Sequence, residues 1–269
     1  MSGAVVTPGH GRRAARQVGD WLPALVILVA TIAVWQGTIV VFHIQKFLLP
    51  RPTDIAKTLW DERQTLWPAG WYTFKEALGG FVAGSLAGML FAAFVARFRA
   101  VGAALMPVAV AANAVPIIAF APIFDVWFDP LSPYSKMAIA GVLCFFPVMV
   151  NTLRGLTSVQ PRQIELMRAY AASDLQVFRR VRVPTALPFI FTSLKVASVL
   201  AMIGAIVGEY FGGSLDALGV QIQSDAQSFD FVTAWAGIVV ASLFGISLYL
   251  AVVVSERLLV RWAPESRDS

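Results

Sequence analysis

Long apolar runs alternate with short polar stretches along the whole chain, and the longer runs match the roughly 30 Å hydrocarbon core of a bilayer. They predict six spans, at about residues 21–42, 73–96, 105–124, 134–152, 187–210 and 232–254. The first, from Trp21 to Phe42, exceeds the apolar core of a secretory signal and leads into no small-residue cleavage site, so it reads as a retained span. The predicted fold class is therefore an all-α integral membrane protein. Residues 1–20 form a polar tail, 21–257 a single membrane domain, and 258–269 a second polar tail.

Between the first two spans, Pro50 and Pro52 bar a helix, and Thr53-Asp54 offers an N-cap for a short one carrying Ile55, Leu59 and Leu66. Trp60, Trp67, Trp71 and Tyr72 suit an aromatic belt at the outer interface. In the second span Gly80, Gly84 and Gly88 recur every four residues, which clears one face for close approach of another helix. The third span holds Pro107, Pro116 and Pro122 with Asn113, so it is expected to be kinked or broken. Freed backbone groups are tolerated in a membrane where they line a wet cavity. That makes this span a pathway-lining element, with Asn113, Pro116 and Phe120 as candidates beside Phe145, Phe146 and Glu209. The loop Asp125–Lys136 and the polar, partly helical stretch 212–230 complete the outer side.

Composition narrows the class. With 58% hydrophobic and 14% charged residues, the chain lies far from the quarter charged usual for soluble domains. The net charge of +5 is a matter of loop placement and no signal for nucleic acid. Arginines collect on one side: Arg12, Arg13, Arg16, Arg97, Arg99, those from 154 to 182, and Arg257, Arg261 and Arg267. By the positive-inside rule both termini are expected in the cytoplasm. Cys144 lies alone in an apolar run and reads as a small core hydrophobe. No lysine follows a glycine, so the chain has no phosphate-binding P-loop. Two histidines and one cysteine leave no metal site, and no catalytic cluster stands in the spans.

The largest polar island, PRQIELMRAYAASDLQVFRRVRVP at residues 161–184, falls on the cytoplasmic side between spans four and five. Pro161 suits a first helical position. Ile164, Met167 and Ala171 form an apolar stripe, and Glu165 can pair with Arg168. Ser173 with Gln176 fits a capping box opening a second helix, whose apolar face is Leu175, Phe178 and Val181 and whose stop is Pro184. A helix pair built this way suits docking into a partner's groove.

This island resembles the signature of bacterial ABC importer permeases: E-A-A, three residues, G, nine residues, I-x-L-P. Glu165 matches, Ala171 stands six positions on, Val181 after nine more, then Val183 and Pro184. Leu166 and Met167 replace the two alanines. Ala171 replaces the glycine and is expected to strain a left-handed turn. LLPRPTDI, VPIIAFAPIFDVWF, FFPVMVNTLRGL, ALPFIFTSLKVA and the SERLLVRW ending are similar to the branch serving sulfonates, taurine, nitrate and pyrimidine precursors. ELMR, LKVA and IGAIVGEYFGG look closest to members for thiamine-pyrimidine or riboflavin-like precursors. The resemblance implies a type I importer fold: a homodimer of six-helix permeases, two ATPase subunits that bind the ATP and Mg, and an external substrate-binding protein. Glu165, Arg168, Ala171, Ser173, Arg179, Arg180 and Pro184 would then couple this chain to the ATPase. Glu209 in the fifth span is a candidate for the outer gate, and Lys195 is expected to snorkel to the inner interface. A secondary transporter would instead need paired intramembrane charges, and a scaffold or enzyme a docking helix or catalytic cluster without an ATPase.

Overall fold

The structure, a computed structural model, describes residues 10–98, 111 and 116–260. Its elements are α1 (His10–Val41), α2 (Pro52–Asp61), α3 (Arg63–Arg97), a 3₁₀ turn (Ile117–Phe120), α4 (Ala121–Phe128), α5 (Pro133–Thr157), α6 (Pro161–Ala169), α7 (Asp174–Val177), a π turn (Phe178–Arg182), α8 (Val183–Phe211), α9 (Leu218–Gln227) and α10 (Phe231–Leu259). Five described segments are long and apolar enough to cross a membrane: Pro23–Val41, Arg63–Arg97, Pro133–Thr157, Asp174–Phe211 and Phe231–Leu259. These correspond to five of the six expected spans. Of the third, only residue 111 and residues 116–124 are described, and Asn113 lies outside them.

The core is a three-helix packing of α3, α5 and α8, with α10 laid against α3 and α8. Lipid tails are as apolar as leucine, so helices in a bilayer associate through close van der Waals contact rather than through the hydrophobic effect. The glycine face of α3 provides that contact. A Cβ on Gly80 would stand 2.7 Å from the Met137 carbonyl oxygen, and one on Gly88 at 2.7 Å from the Phe145 carbonyl oxygen. At Gly84 it would fall on the carbonyl of Gly141, itself a glycine of α5. On the other side of α5, a Cβ on Gly204 of α8 would meet the Ala140 backbone at 2.8 Å. Small residues on both faces of α5 thus hold the three backbones together. Cys144, fully buried there, donates its thiol to the Ala197 carbonyl at 3.3 Å.

Several local expectations need correction. The helix after the first span starts at Pro52 with Arg51 as N-cap, and Thr53 and Asp54 provide no cap, because proline's fixed φ is already helical at that position. Leu66 belongs to α3, which begins ten residues before the expected Thr73 and carries Pro68 in its first turns. In the early turns Leu66, Ala69 and Gly70 are buried, Gly70 against Val240 and Phe244 of α10, and Phe244 packs at a tilt against Trp67 and Phe74. The first span, Pro23–Val41, lies within the expected 21–42, but its helix extends back through the polar tail to His10. The loop expected over Asp125–Lys136 is largely helical, with only Asp129–Ser132 between α4 and α5. Trp60, Trp67 and Trp71 are exposed, and the Arg63 guanidinium lies 4.6 Å from the Trp60 ring centre.

The glycine contact carries a direct test. Gly84→Ala is expected to lower the melting temperature of the detergent-purified protein, since overpacking costs about 1–3 kcal/mol. Gly37→Ala, where an added Cβ meets nothing within 4 Å, should leave the melt at or slightly above the native value.

Candidate functional site

Two features stand out as functional: the 161–184 helix pair at one end of the core, and a buried polar joint at the other. In the pair, α6 starts at Pro161, with Gln160 as N-cap. It ends in a reciprocal C-cap: the Ala172 N–H donates to the Met167 carbonyl at 3.0 Å and the Ala171 N–H to the Arg168 carbonyl at 2.9 Å. This closure requires a left-handed residue between them, and Ala171 takes it with φ of 55°. The turn therefore keeps its shape despite lacking the glycine. Ser173 and Gln176 form the expected capping box, at 3.4 Å and 2.9 Å.

The second helix does not stop at Pro184. It continues through the π turn, in which the Val183 N–H reaches the Phe178 carbonyl, directly into α8. The widened turn changes the hydrogen-bond register where proline would otherwise remove a donor, so Pro184 sits inside the start of α8. Glu165 and Arg168 make no ion pair, and both are exposed. Of the expected apolar face of Leu175, Phe178 and Val181, Phe178 packs against the core cluster around Met149 and Leu153, and Val177, which is buried, was not among the residues expected there. Leu175 instead projects outward with Leu166 and Tyr170, the last 79% exposed. Arg179 and Arg180 are also exposed.

At the opposite end, Glu209 of α8 is 1% exposed and faces a joint rather than a cavity. Its Oε1 accepts from the Thr73 hydroxyl at 2.6 Å and its Oε2 from the Gly219 N–H at 2.6 Å. The Thr73 oxygen in turn accepts from the Leu218 N–H at 2.9 Å. A carboxyl deep in a membrane protein is costly without partners, and here α3 and α9 supply them. Glu76, one turn after Thr73, is 3% exposed, and its Oε2 is buried without a hydrogen-bond partner among the described residues. Next to them Lys136 pairs with Asp125 at 3.1 Å, both buried, and donates to the carbonyl of the exposed Pro130. Thr73, Glu76 and Gly219 were missed from sequence. An acid inside the second span was the available signal.

The remaining candidates lie apart. Phe145 and Phe146 are half-buried on α5, packed edge to face at 5.1 Å, with Phe91 on Phe145. Pro116 and Phe120 are exposed at the turn leading into α4. Lys195 does not snorkel freely: it pairs with Glu256 of α10 at 2.9 Å, both about one quarter exposed. An open apolar groove of about 580 Å³ runs between α8 and α10, with Ile206, Tyr210 and Tyr249 among its walls. Among the described residues no three His, Cys, Asp or Glu side chains gather as a metal site.

Comparison with known proteins decides the class. Residues 81–262 match the family described as binding-protein-dependent transport system inner membrane component. The chain belongs to this family; it is an ABC importer permease. The permease is 32% identical to the riboflavin transport system permease protein RibX of Chloroflexus aurantiacus, over 90% of this chain and 91% of that one. It is 35% identical to the formylaminopyrimidine transport permease protein ThiX of Halalkalibacterium halodurans, over 81% and 87%. Against the taurine transport system permease protein TauC of Escherichia coli the identity is 28%, over 93% and 92%. A solved structure of the inward-facing MetNI methionine ABC transporter shares the fold, with a TM-score of 0.53 over 76% of this chain and 97% of that chain, at 21% identity. Paired intramembrane charges, the mark expected of a secondary transporter, do occur as Lys136–Asp125 and Lys195–Glu256. Each pair ties neighbouring helices together, and the family match settles the class.

Two measurements follow from these geometries. Ala171→Gly removes the left-handed penalty and is expected to stabilise the permease by about 1 kcal/mol, read as a higher melting temperature. Asp225 of α9 has its carboxyl pushed up from the usual range, first by burial, then by Asp230 and Glu62. A raised value means that stability is full below the ordinary aspartate range and is lost as pH rises through the folded-state value. Asp225→Asn should therefore raise the melting temperature at neutral pH, with the gain vanishing in acid.

Proposed function

We propose that this permease works as a homodimer with two cytoplasmic ATPase subunits and an external binding protein, importing a riboflavin-like or pyrimidine-precursor heterocycle. Both termini lie in the cytoplasm, and residues 161–184 are the joint to the ATPase. ATP and Mg are bound by that partner, and this chain catalyses nothing itself.

The observation that carries the coupling reading is the outward face of the helix pair. Leu166, Tyr170 and Leu175 are exposed on a segment that also exposes Arg168, Arg179 and Arg180, and the positive-inside rule puts that segment in the cytoplasm. Apolar knobs held out on a capped, π-anchored frame are suited to a groove in another protein. Glu165, at the centre of α6, is exposed and has no side-chain hydrogen bond or ion pair among the described residues, which leaves it available to that surface. Ser173 and Ala171 shape the frame, and Pro184 begins the span that carries it. The heterocycle reading rests on the higher identity to the riboflavin and formylaminopyrimidine permeases than to the taurine permease. An aliphatic sulfonate, taurine or nitrate served by the same machinery is the competing outcome.

Affinity purification in mild detergent should bring down an ATPase with the native chain. Tyr170→Glu and Leu175→Glu change exposed side chains only, and are expected to abolish that co-elution while leaving the permease monodisperse. An ATPase retained by both variants, or none retained by the native chain, overturns the coupling reading. Uptake of labelled riboflavin and formylaminopyrimidine, competed with taurine, then tests the substrate class.

A further inference from the structure

Helix α9 touches three spans, α3, α8 and α10, and its first turn finds its hydrogen-bond acceptors among them. The leading N–H groups of a helix have no partner within it, and Ala217 at the N-cap offers no side-chain acceptor. The Leu218 N–H donates instead to the Thr73 hydroxyl oxygen of α3 at 2.9 Å. The Gly219 N–H donates to Glu209 Oε2 of α8 at 2.6 Å. The Thr73 hydroxyl in turn donates to Glu209 Oε1 at 2.6 Å, so the two acceptors are tied to each other. Both side chains are fully buried, which leaves no water to take their place.

The fit is close on either side of this turn. A Cβ on Gly219 would stand 2.5 Å from Glu209 Oε2 and 2.8 Å from the Ile206 carbonyl oxygen. One turn on, the buried Ile222 enters a notch in α10, where a Cβ on Gly237 would stand 2.7 Å from its Cγ1. So α9 is gripped by α3 and α8 at its start and holds α10 a turn later. Towards the other end of α8 and α10, Lys195 pairs with Glu256 at 2.9 Å. The open groove lies between these two fasteners, with walls from Val199 to Tyr210 on α8 and from Ile238 to Tyr249 on α10, and Ile222 at its α9 end.

We infer that Thr73 and Glu209 are positioning residues that cap α9 from two other helices, and that α9 seated in this way is the clasp holding α10 to α3 and α8 at the Glu209 end. In the orientation proposed above this is the outer end of the permease; the clasp itself rests on the contacts alone. The roles of the two side chains differ chemically. Thr73 is donor and acceptor at once: serine keeps both functions, and valine, of the same shape, keeps neither. Both oxygens of Glu209 accept, whereas a glutamine has one acceptor oxygen and would turn its NH₂ toward the other donor.

The test is hydrogen–deuterium exchange, read by mass spectrometry on the purified full-length protein in detergent. In the native protein, peptides covering residues 217–227 are expected to exchange as slowly as the first turns of α10, and a fast-exchanging α9 overturns the clasp without any variant. Thr73→Val and Glu209→Gln are expected to speed exchange of the α9 amides about tenfold, as for buried donors that lose their acceptors. The first turns of α10, around Gly237, should loosen with α9, while the last turns, around Glu256, and the α3–α5 contact keep native protection. Thr73→Ser is expected to exchange like the native protein. Unchanged α9 exchange in Thr73→Val or Glu209→Gln, or a loosened α9 in Thr73→Ser, overturns the shared cap. Loosening spread evenly over all helices, or confined to α9 with α10 unaffected, overturns the clasp. These readouts need no ATPase, binding protein or substrate, so they stand or fall separately from the proposed coupling and substrate.

Discussion

Everything in this fold depends on how closely α3 and α5 approach. Three glycines on one helix and Gly141 on the other remove the side chains that would keep the backbones apart. In water, burial of large apolar groups would drive such an interface. In lipid that incentive is missing, and contact area at short range takes its place. The close approach fixes α5, α5 fixes α8 through Gly204 and Ala140, and α8 carries both the 161–184 frame and Glu209. The two ends of the molecule are thereby set by the same small residues.

What the sequence disclosed follows from which forces are local. The spans, the small-residue face of α3, the Pro161 start and the Ser173–Gln176 box all arise from patterns within a few turns, and each was legible. The misreadings came where distant residues override a local rule. The second span was expected to begin at about Thr73, yet its helix starts at Arg63 and carries Pro68 inside, with Gly70 seated against α10. Pro184 looked like a helix stop, but a change of hydrogen-bond register absorbs it. Lys195 seemed destined for the headgroups until Glu256, 61 positions away, provided a partner. Glu209 was visible as an acid in a span, whereas its partner Thr73 lies 136 positions away, beyond any local pattern.

Charged and polar side chains inside the membrane domain are used as fasteners between helices. Lys136–Asp125 joins α4 to α5, Lys195–Glu256 joins α8 to α10, and the Glu209 group joins α3, α8 and α9. Each pays the desolvation of its charge with partners from a separate segment, so each enforces one arrangement of those segments rather than merely adding stability. The position of α9 illustrates this, since its first turn has no cap of its own and is held entirely by neighbours.

The π turn has a mechanical consequence. Because Pro184 does not break the chain, Asp174–Phe211 is one uninterrupted rod of 38 residues, about 57 Å long at 1.5 Å per residue. Its foot carries Leu175 and the arginines, and its head carries Glu209. Foot and head therefore belong to one continuous helical segment, and the π turn and Pro188 mark where along it a bend would be taken up before it reaches whatever Glu209 holds.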